Sequence, residues 1–355
     1  MNVVHVIEST ATGTLSIAQM AANSQVRDSD TTVIFSRRSD TPENIETIFE
    51  KDVRLVEEDL QARKFPFSVF SLRRHLKSIK PDCVHCHSSF AGFVGRLATL
   101  GLKTKVFYSP HCISFMREDI GKGKALLFRL FELVACVKQA TYVACSNSEK
   151  EAIQQALPFV KVALLENAVD LSEFRGCQKQ AIEVSSNEIV KVITVGGIRP
   201  QKGPEEFAYI ASQFKNSNVE FIWIGDGEPE FKRVLIDAGV NVKGWMPREK
   251  VIEELYKAEL YISTALWEGM PVSVIEACAA DIPVILRDCA GNRDIVSHGK
   301  DGHLFSETSQ CIEFLNQYLE QPEHFEQLAG VAYKQVFERF SVERFSKELD
   351  EIYKK

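Results

Sequence analysis

The chain has no apolar run approaching the ~20 residues that a membrane-spanning helix requires, so no span is expected. Basic residues are in deficit. Lys and Arg number 42 against 49 Asp and Glu, a formal net charge of −7, with a pI near 5.7. A nucleic-acid-binding domain would usually be basic, so that class is set aside. The G-x-G-x-x-G run of a dinucleotide fold is missing, as are a nucleophile elbow and a Ser–His–acid arrangement. No repeat at a solenoid period and no low-complexity tract is found. A strand-like run, Asn2 to Ile7, comes first, so no secretory leader is expected and a cytoplasmic location is.

Nine cysteines is an odd number, and Cys83, Cys86, Cys136 and Cys145 sit inside apolar runs, the pattern of reduced, buried thiols. Cys83-Val84-His85-Cys86-His87 offers metal-ligating residue types, but no second cluster with metal spacing accompanies it. In a strand, Cys83 and Cys86 would also point to opposite faces. No metal site and no cofactor is expected.

What is present is an ordinary globular balance, 45% apolar and 26% charged over 355 residues, long enough for two domains. Short apolar runs alternate with helical patterns. They are Val3–Ile7, Thr32–Phe35, Cys83–Cys86, Val106–Tyr108, Tyr142–Ala144 and Val162–Leu165, then Val190–Val195, Phe221–Ile224, Val240–Val242, Leu260–Ser263 and Val284–Leu286. Such alternation predicts parallel sheets of the α/β class. The polar stretch Ser172 to Glu188 reads as a linker between two Rossmann-like domains, 1–175 and 176–330. Gly13, Gly196, Gly197, Gly225, Gly227 and Gly269 all follow strands, where ligands of such sheets bind, and would gather at a cleft between the domains. A helical pattern from Glu323 to Tyr353 ends the chain.

The densest motif is Trp267-Glu268-Gly269-Met270-Pro271-Val272-Ser273-Val274-Ile275-Glu276-Ala277. It joins a strand-like run to a helix-like one. The first turn of a helix leaves backbone N–H groups unpaired and, with the helix dipole, favours ligand oxygens. Pro271 suits the first helical position. Glu268 on the loop and Glu276 one turn into the helix flank those donors with acceptors, a combination fitted to a hydroxyl-rich ligand. Taken alone the motif also fits a plain dipole-complementing glutamate and a loop charge.

This segment resembles the signature of glycosyltransferase family 4, retaining enzymes of the GT-B fold, down to the following Ala277-Cys278-Ala279-Ala280 helix and the Pro283-Val284 strand start. The resemblance covers nearly the whole chain. Val195-Gly196-Gly197-Ile198-Arg199-Pro200-Gln201-Lys202-Gly203 is similar to the family's G-R-x-x-x-x-K-G loop, Ile224 to Glu228 to its G-x-G turn, and Gly291 to Val296 to its G-G-x-x-E segment. Lys80 to His87, Ser109-Pro110-His111 and Glu166 to Asp170 are similar to its N-terminal elements.

The resemblance implies an acceptor-binding domain over 1–175 and a nucleotide-sugar-binding domain over 176–330. It further implies that a last helix, 331–355, crosses back to the first. Lys202 would hold the leaving diphosphate, Glu268 and Glu276 would bind sugar and ribose, and His111 would approach the transferred sugar or the β-phosphate. Gly269, Met270 and Pro271 would line the donor site, and Gly13 and Thr14 the first strand–helix turn. The chain departs from the pattern twice. Gly197 stands where the family has arginine, the nearest arginine being Arg199, and Cys112 replaces the glycine after the histidine. The plain alternatives are a solvated Lys202, a structural His111, and Asn167 and Asp170 as turn residues. No D-x-D pair suited to a metal–diphosphate site is seen, so transfer is expected to be metal-independent. The expected partners are a nucleotide-sugar donor (UDP- or GDP-linked) and a saccharide or lipid-linked glycan acceptor in cell-surface polysaccharide synthesis. An inactive GT-B scaffold, or an epimerase or phosphorylase of that fold, is the rival.

From Arg63 to Lys80 six basic residues occur with no acidic one, interleaved with Phe65, Phe67, Phe70 and Leu72, and the stretch Lys122 to Lys138 is again basic and apolar. Contact with an anionic membrane at its inner face and a Rossmann helix with one core face explain this pattern equally well.

Overall fold

Runs of β-branched and aliphatic residues pack well on a pleated surface, and in the computed structural model every expected run forms a strand. The structure describes residues 1–10, 12–38, 41–117, 120–174 and 189–355, so most of the expected linker, residues 175–188, lies outside the described residues. Two compact units result. The first comprises Met1–Asn167 with Glu343–Lys355, the second Ala168–Val342. In this division the main part of the first unit ends at Asn167, and its C-terminal segment begins at Glu343.

In the first unit the strands are β1 (Asn2–Ile7), β2 (Asp30–Phe35), β3 (Arg54–Glu57), β4 (Cys83–His87), β5 (Lys105–Ser109), β6 (Thr141–Ala144) and β7 (Lys161–Leu164). They form one parallel sheet in the order β3-β2-β1-β4-β5-β6-β7. The second unit holds β8 (Val190–Val195), β9 (Val219–Ile224), β10 (Asn241–Gly244), β11 (Leu260–Ser263), β12 (Val284–Arg287) and β13 (His303–Phe305). Its parallel sheet runs β10-β9-β8-β11-β12-β13. Both sheets reverse their strand order once, between β1 and β4 and between β8 and β11. Ligands of open α/β sheets bind beyond the strand ends at that reversal.

The pattern did not reveal β3 and β13. The first is a four-residue edge strand with exposed, charged ends, and the second is three residues long, too short to show a period. The C-terminal helical pattern is broken into two helices, Pro322–Arg339 and Val342–Lys354. The break at Phe340–Ser341 is held open because Val169 N–H donates to the Phe340 carbonyl at 3.0 Å and Val169 pairs with Ser341. In the first unit the last helix is fixed by Arg344, whose guanidinium donates to the carbonyls of Glu166 and Asn167 at 2.8–3.0 Å.

Each sheet is covered by helices whose apolar face forms the core. Phe207, Trp223, Ile262 and Leu315 anchor the core of the second unit. In the first, Leu72 and Leu76 of the helix Phe67–Ile79 are buried with Val84 and Tyr108, so that helix does have a core face. Its Phe67 and Phe70 nevertheless remain exposed.

Candidate active site

The loops after β8 and β11 carry the expected donor residues. After β8 the chain turns through Gly196 and Gly197, makes one short turn at Pro200–Lys202 and enters the helix Pro204–Gln213 through Gly203. Gly203 has φ +62°, and a Cβ there would lie 2.2 Å from the Thr264 carbonyl oxygen, so only glycine fits. The β11 loop is stitched to this turn. Thr264 Oγ1 donates to the Lys202 and Gly203 carbonyls at 2.9 Å, and Leu266 N–H donates to the Gln201 carbonyl at 2.8 Å. The Gln201 amide donates to the Trp267 carbonyl at 3.0 Å.

This stitching brings Lys202 Nζ to 2.6 Å from Glu268 Oε1, with both side chains largely buried. The lysine stem lies across Gly196, whose Cβ position would be 2.9 Å from Lys202 Cε. Gly291, in the loop after β12, backs the same place: a Cβ there would meet the Gly269 carbonyl at 2.8 Å and Glu268 Cβ at 2.9 Å. Met270 and Pro271 are buried. Pro271 is the residue that precedes the helix Val272–Ala279 and not its first helical residue.

Glu276 is buried in that helix, and its carboxylate is held by Arg248 Nη1. Arg248 Nε also donates to Glu173 Oε2 at 2.7 Å. Burial holds the Glu276 carboxyl above its ordinary value, with the Arg248 charge opposing. Sequence reasoning missed Arg248, because a cation opening the helix Arg248–Tyr256 looks like any surface residue until β10 places it beside Glu276. It also missed Trp245, just beyond β10. The indole is 58% exposed, large for an unpaired tryptophan, and its Cη2 lies 3.6 Å from where a Gly197 side chain would begin. Arg199 Nε lies 3.9 Å from the same point.

His111 belongs to the first unit, two residues past β5. It and Cys112 both adopt left-handed backbone, with φ 54° and 85°. That turn is tied down by Glu149, fully buried, whose carboxylate accepts from Cys112 N–H at 2.7 Å, Ile113 N–H at 2.8 Å and Cys145 N–H at 2.8 Å. Cys112 therefore occupies a conformation that glycine would adopt more cheaply. Gly13 and Thr14 lie in the first turn of the helix Thr12–Gln25, beyond β1. Asp170 Oδ1 accepts from Ser172 N–H at 2.9 Å and Ser172 Oγ at 2.6 Å, an ordinary turn role.

Fold and site together define a two-unit α/β protein with a cation–carboxylate pair at the sheet reversal of its second unit. Family models agree along nearly the full length: "Glycosyl transferases group 1" matches residues 178–335 and "Glycosyltransferase Family 4" matches residues 14–173. The chain belongs to the family 4 glycosyltransferases and has the GT-B fold. It is 29% identical over 268 residues to the Escherichia coli UDP-Gal:alpha-D-GlcNAc-diphosphoundecaprenol alpha-1,3-galactosyltransferase, covering 70% of this chain and 68% of that one. Sucrose-phosphate synthase from Thermosynechococcus elongatus superposes with a TM-score of 0.84 at 15% identity over 100% of this chain and 98% of that one. HepE of Anabaena, solved with UDP-glucose, gives a TM-score of 0.81 at 17% identity over 100% and 99%.

Proposed function

We propose that this protein transfers a hexose from a UDP-sugar to a lipid-linked glycan, with retention of anomeric configuration and without a metal ion. The observation that carries the proposal is the Lys202–Glu268 pair at 2.6 Å at the sheet reversal of the second unit. A diphosphate leaving group gathers negative charge as the glycosidic bond breaks, and a preorganised cation stabilises that charge in the transition state. Lys202 is the cation, and Glu268 orients it until substrate arrives, when its oxygens turn to sugar hydroxyls. Glu276 accepts from the ribose hydroxyls, and Trp245 offers its exposed face to the base. Arg199 supplies a second positive charge in the space left by Gly197. The acceptor hydroxyl attacks from the face that the diphosphate leaves, and a departing phosphate oxygen takes its proton. The carboxylates bind and orient.

UDP as carrier and a diphospho-lipid-linked acceptor are supported by the names of the Escherichia coli relative and by the UDP-glucose held by HepE. Exposed apolar residues of the first unit support a lipid-borne acceptor. The Phe65 ring lies 5.7 Å from Phe93 and Phe93 meets Phe131 edge-on at 5.6 Å, and Phe67, Phe70, Leu126, Leu127 and Leu130 are exposed. No helix among the described residues is long and apolar enough to cross a membrane; the lipid contact proposed is a peripheral one, at the inner face.

The test is transfer from UDP-galactose, UDP-glucose, UDP-N-acetylglucosamine and GDP-mannose to a diphospho-lipid-linked saccharide, with and without EDTA, the product anomer read by NMR. Transfer with retention that survives chelation is the expected result. Inversion, or loss on chelation with recovery on adding magnesium, would overturn the mechanism. Nucleotide binding without any transfer would instead support an inactive scaffold.

A further inference from the structure

Three histidines of the first unit form a single hydrogen-bonded row that the transfer chemistry above does not use. Gln25 Oε1 lies 3.0 Å from His5 Nε2, His5 Nδ1 lies 3.1 Å from His87 Nε2, and His87 Nδ1 lies 3.1 Å from His111 Nε2. The register pairs His5 with His85 and Ile7 with His87, so β1 and β4 put His5, His85 and His87 on one face of the sheet. Gln25 ends the helix that follows β1, and His111 follows β5. The rings overlap, His5 on His87 at 5.3 Å and His87 on His111 at 5.4 Å. His85 stands beside the row with its own partners, Ser109 Oγ at 2.8 Å and Tyr353 Oη at 2.6 Å. His5, His85 and His87 are buried and His111 is partly exposed.

A neutral imidazole has one N–H and one bare nitrogen. Burial pushes these rings down, His5 and His111 to about 4, so they are neutral at neutral pH. His5 and His87 each spend both nitrogens on the row, which makes it directional: a proton placed at one end dictates every proton along it. The carbonyl oxygen of Gln25 can only accept. His5 is then protonated on Nε2, and its bare Nδ1 accepts from His87 Nε2–H. The bare Nδ1 of His87 in turn accepts from His111 Nε2–H.

We propose that Gln25, His5 and His87 are positioning residues that fix His111 as its Nε2–H tautomer, so that its bare Nδ1 is set to accept from a substrate hydroxyl and not to meet a phosphate oxygen. A bare nitrogen accepts from a hydroxyl and repels an anionic oxygen, so the tautomer decides which part of the substrate His111 serves. The reactive part of this proposal rests on the glycosyltransferase reading above, whereas the proton order does not.

The test uses the full chain labelled with 15N-histidine, whose two-bond 1H–15N correlations report the protonated nitrogen of each ring. At neutral pH His5, His87 and His111 should all be Nε2–H. Gln25→Leu should leave His111 in mixed tautomers and lower kcat by up to about 10²-fold, the cost of a misplaced group, with the donor KM little changed. Gln25→Glu keeps an acceptor at that position and should keep the tautomer. His111 as Nδ1–H or mixed in the wild type would overturn the proposal, as would stoichiometric zinc whose removal shifts the His5 and His87 signals. If the proton order is as stated but His111→Ala transfers at the wild-type rate, the reactive part is overturned. Activity of Lys202 and Glu268 variants then decides the glycosyltransferase reading separately.

Discussion

Lys202 Nζ and Glu268 Oε1 stand 2.6 Å apart although 66 residues separate them in the chain. The loops after β8 and β11 meet because those strands are neighbours across the sheet reversal. If the lysine serves the transition state more than the ground state, Lys202→Ala should cut kcat by about 10²–10³-fold, the range for losing one preorganised oxyanion partner, and raise the donor KM far less. Steady-state kinetics over donor concentration check this. A mutant with wild-type kcat would remove Lys202 from the mechanism. A loss in Arg199→Ala as large as that in Lys202→Ala would show that the second positive charge is equally needed.

The Arg248–Glu276 contact gives a second expectation. Glu276→Ala should weaken binding of free UDP by roughly 1.5–3 kcal/mol, the range for a charged hydrogen bond, measured by calorimetry with the fold checked by circular dichroism. Arg248→Ala alone leaves a buried carboxylate without its cation and should lower Tm. Adding Glu276→Gln to that mutant should restore most of the loss, because the two sites share one interaction. Additive losses would show that the pair is not coupled.

Trp245 yields a third. Stacking of a base on an aromatic side chain is worth about 1–3 kcal/mol by alanine substitution, so Trp245→Ala should weaken UDP by that amount while Trp245→Phe retains most of it. Quenching of indole fluorescence by UDP in the wild type is the direct readout. Equal UDP affinity in all three proteins would assign the indole another role.

The fourth concerns acid stability of the first unit. His5 and His111 are depressed from 6.5 to about 4 by burial, and His85 and His87 well below 6.5. Unfolding releases these rings to their ordinary value, so the unfolded chain binds more protons than the folded one below pH 6.5. Their neutral burial is therefore favourable in full above pH 6.5, and stability falls as pH drops from 6.5 towards 4. Glu149, held above its ordinary value by burial, works in the opposite sense over the lower part of this window. Urea midpoints followed between pH 7.5 and 5 should decline, and His5→Phe should flatten the decline. A flat wild-type profile would contradict the assignment.

A fifth test addresses the apolar patch. Arg73 is not part of it: its Nη1 donates to the Ala98 and Leu100 carbonyls at 2.8 and 2.6 Å and so caps the helix Ser89–Ala98. The exposed groups include Arg63, Lys64, Phe65, Phe67, Phe70, Arg74, Lys77 and Lys80. Arg74→Glu with Lys77→Glu should abolish salt-sensitive flotation with anionic vesicles, and Phe67→Ser with Phe70→Ser should abolish what persists at high salt. Equal recovery of the wild type with neutral and anionic vesicles would remove the electrostatic contribution.

The parallel α/β class and the family could be read before any coordinates, because strand runs such as Val190–Val195 and the Trp267–Ala277 motif state their local structure in their own residues. The two missed strands, Arg54–Glu57 and His303–Phe305, are too short or too exposed for a period to show. The interruption in the helical pattern over 323–353 was hidden for a different reason. Val169, a residue far away in sequence, pairs with Ser341 and donates to the Phe340 carbonyl.

What is local was legible in the residues themselves: which segments are strands, where glycine must turn the chain, and which charged residues follow strand ends. Tertiary structure decided every pairing between those residues. Lys202 meets Glu268 through strand order, Glu276 is held by an arginine that local pattern gave no reason to notice, and Trp245 is set over Gly197 by the register of an edge strand. The row from Gln25 to His111 has the same origin. Its members come from the middle of one strand, the end of another, the loop after a third and one helix, and the direction of its protons depends on burial and on an amide, neither of which a sequence motif records.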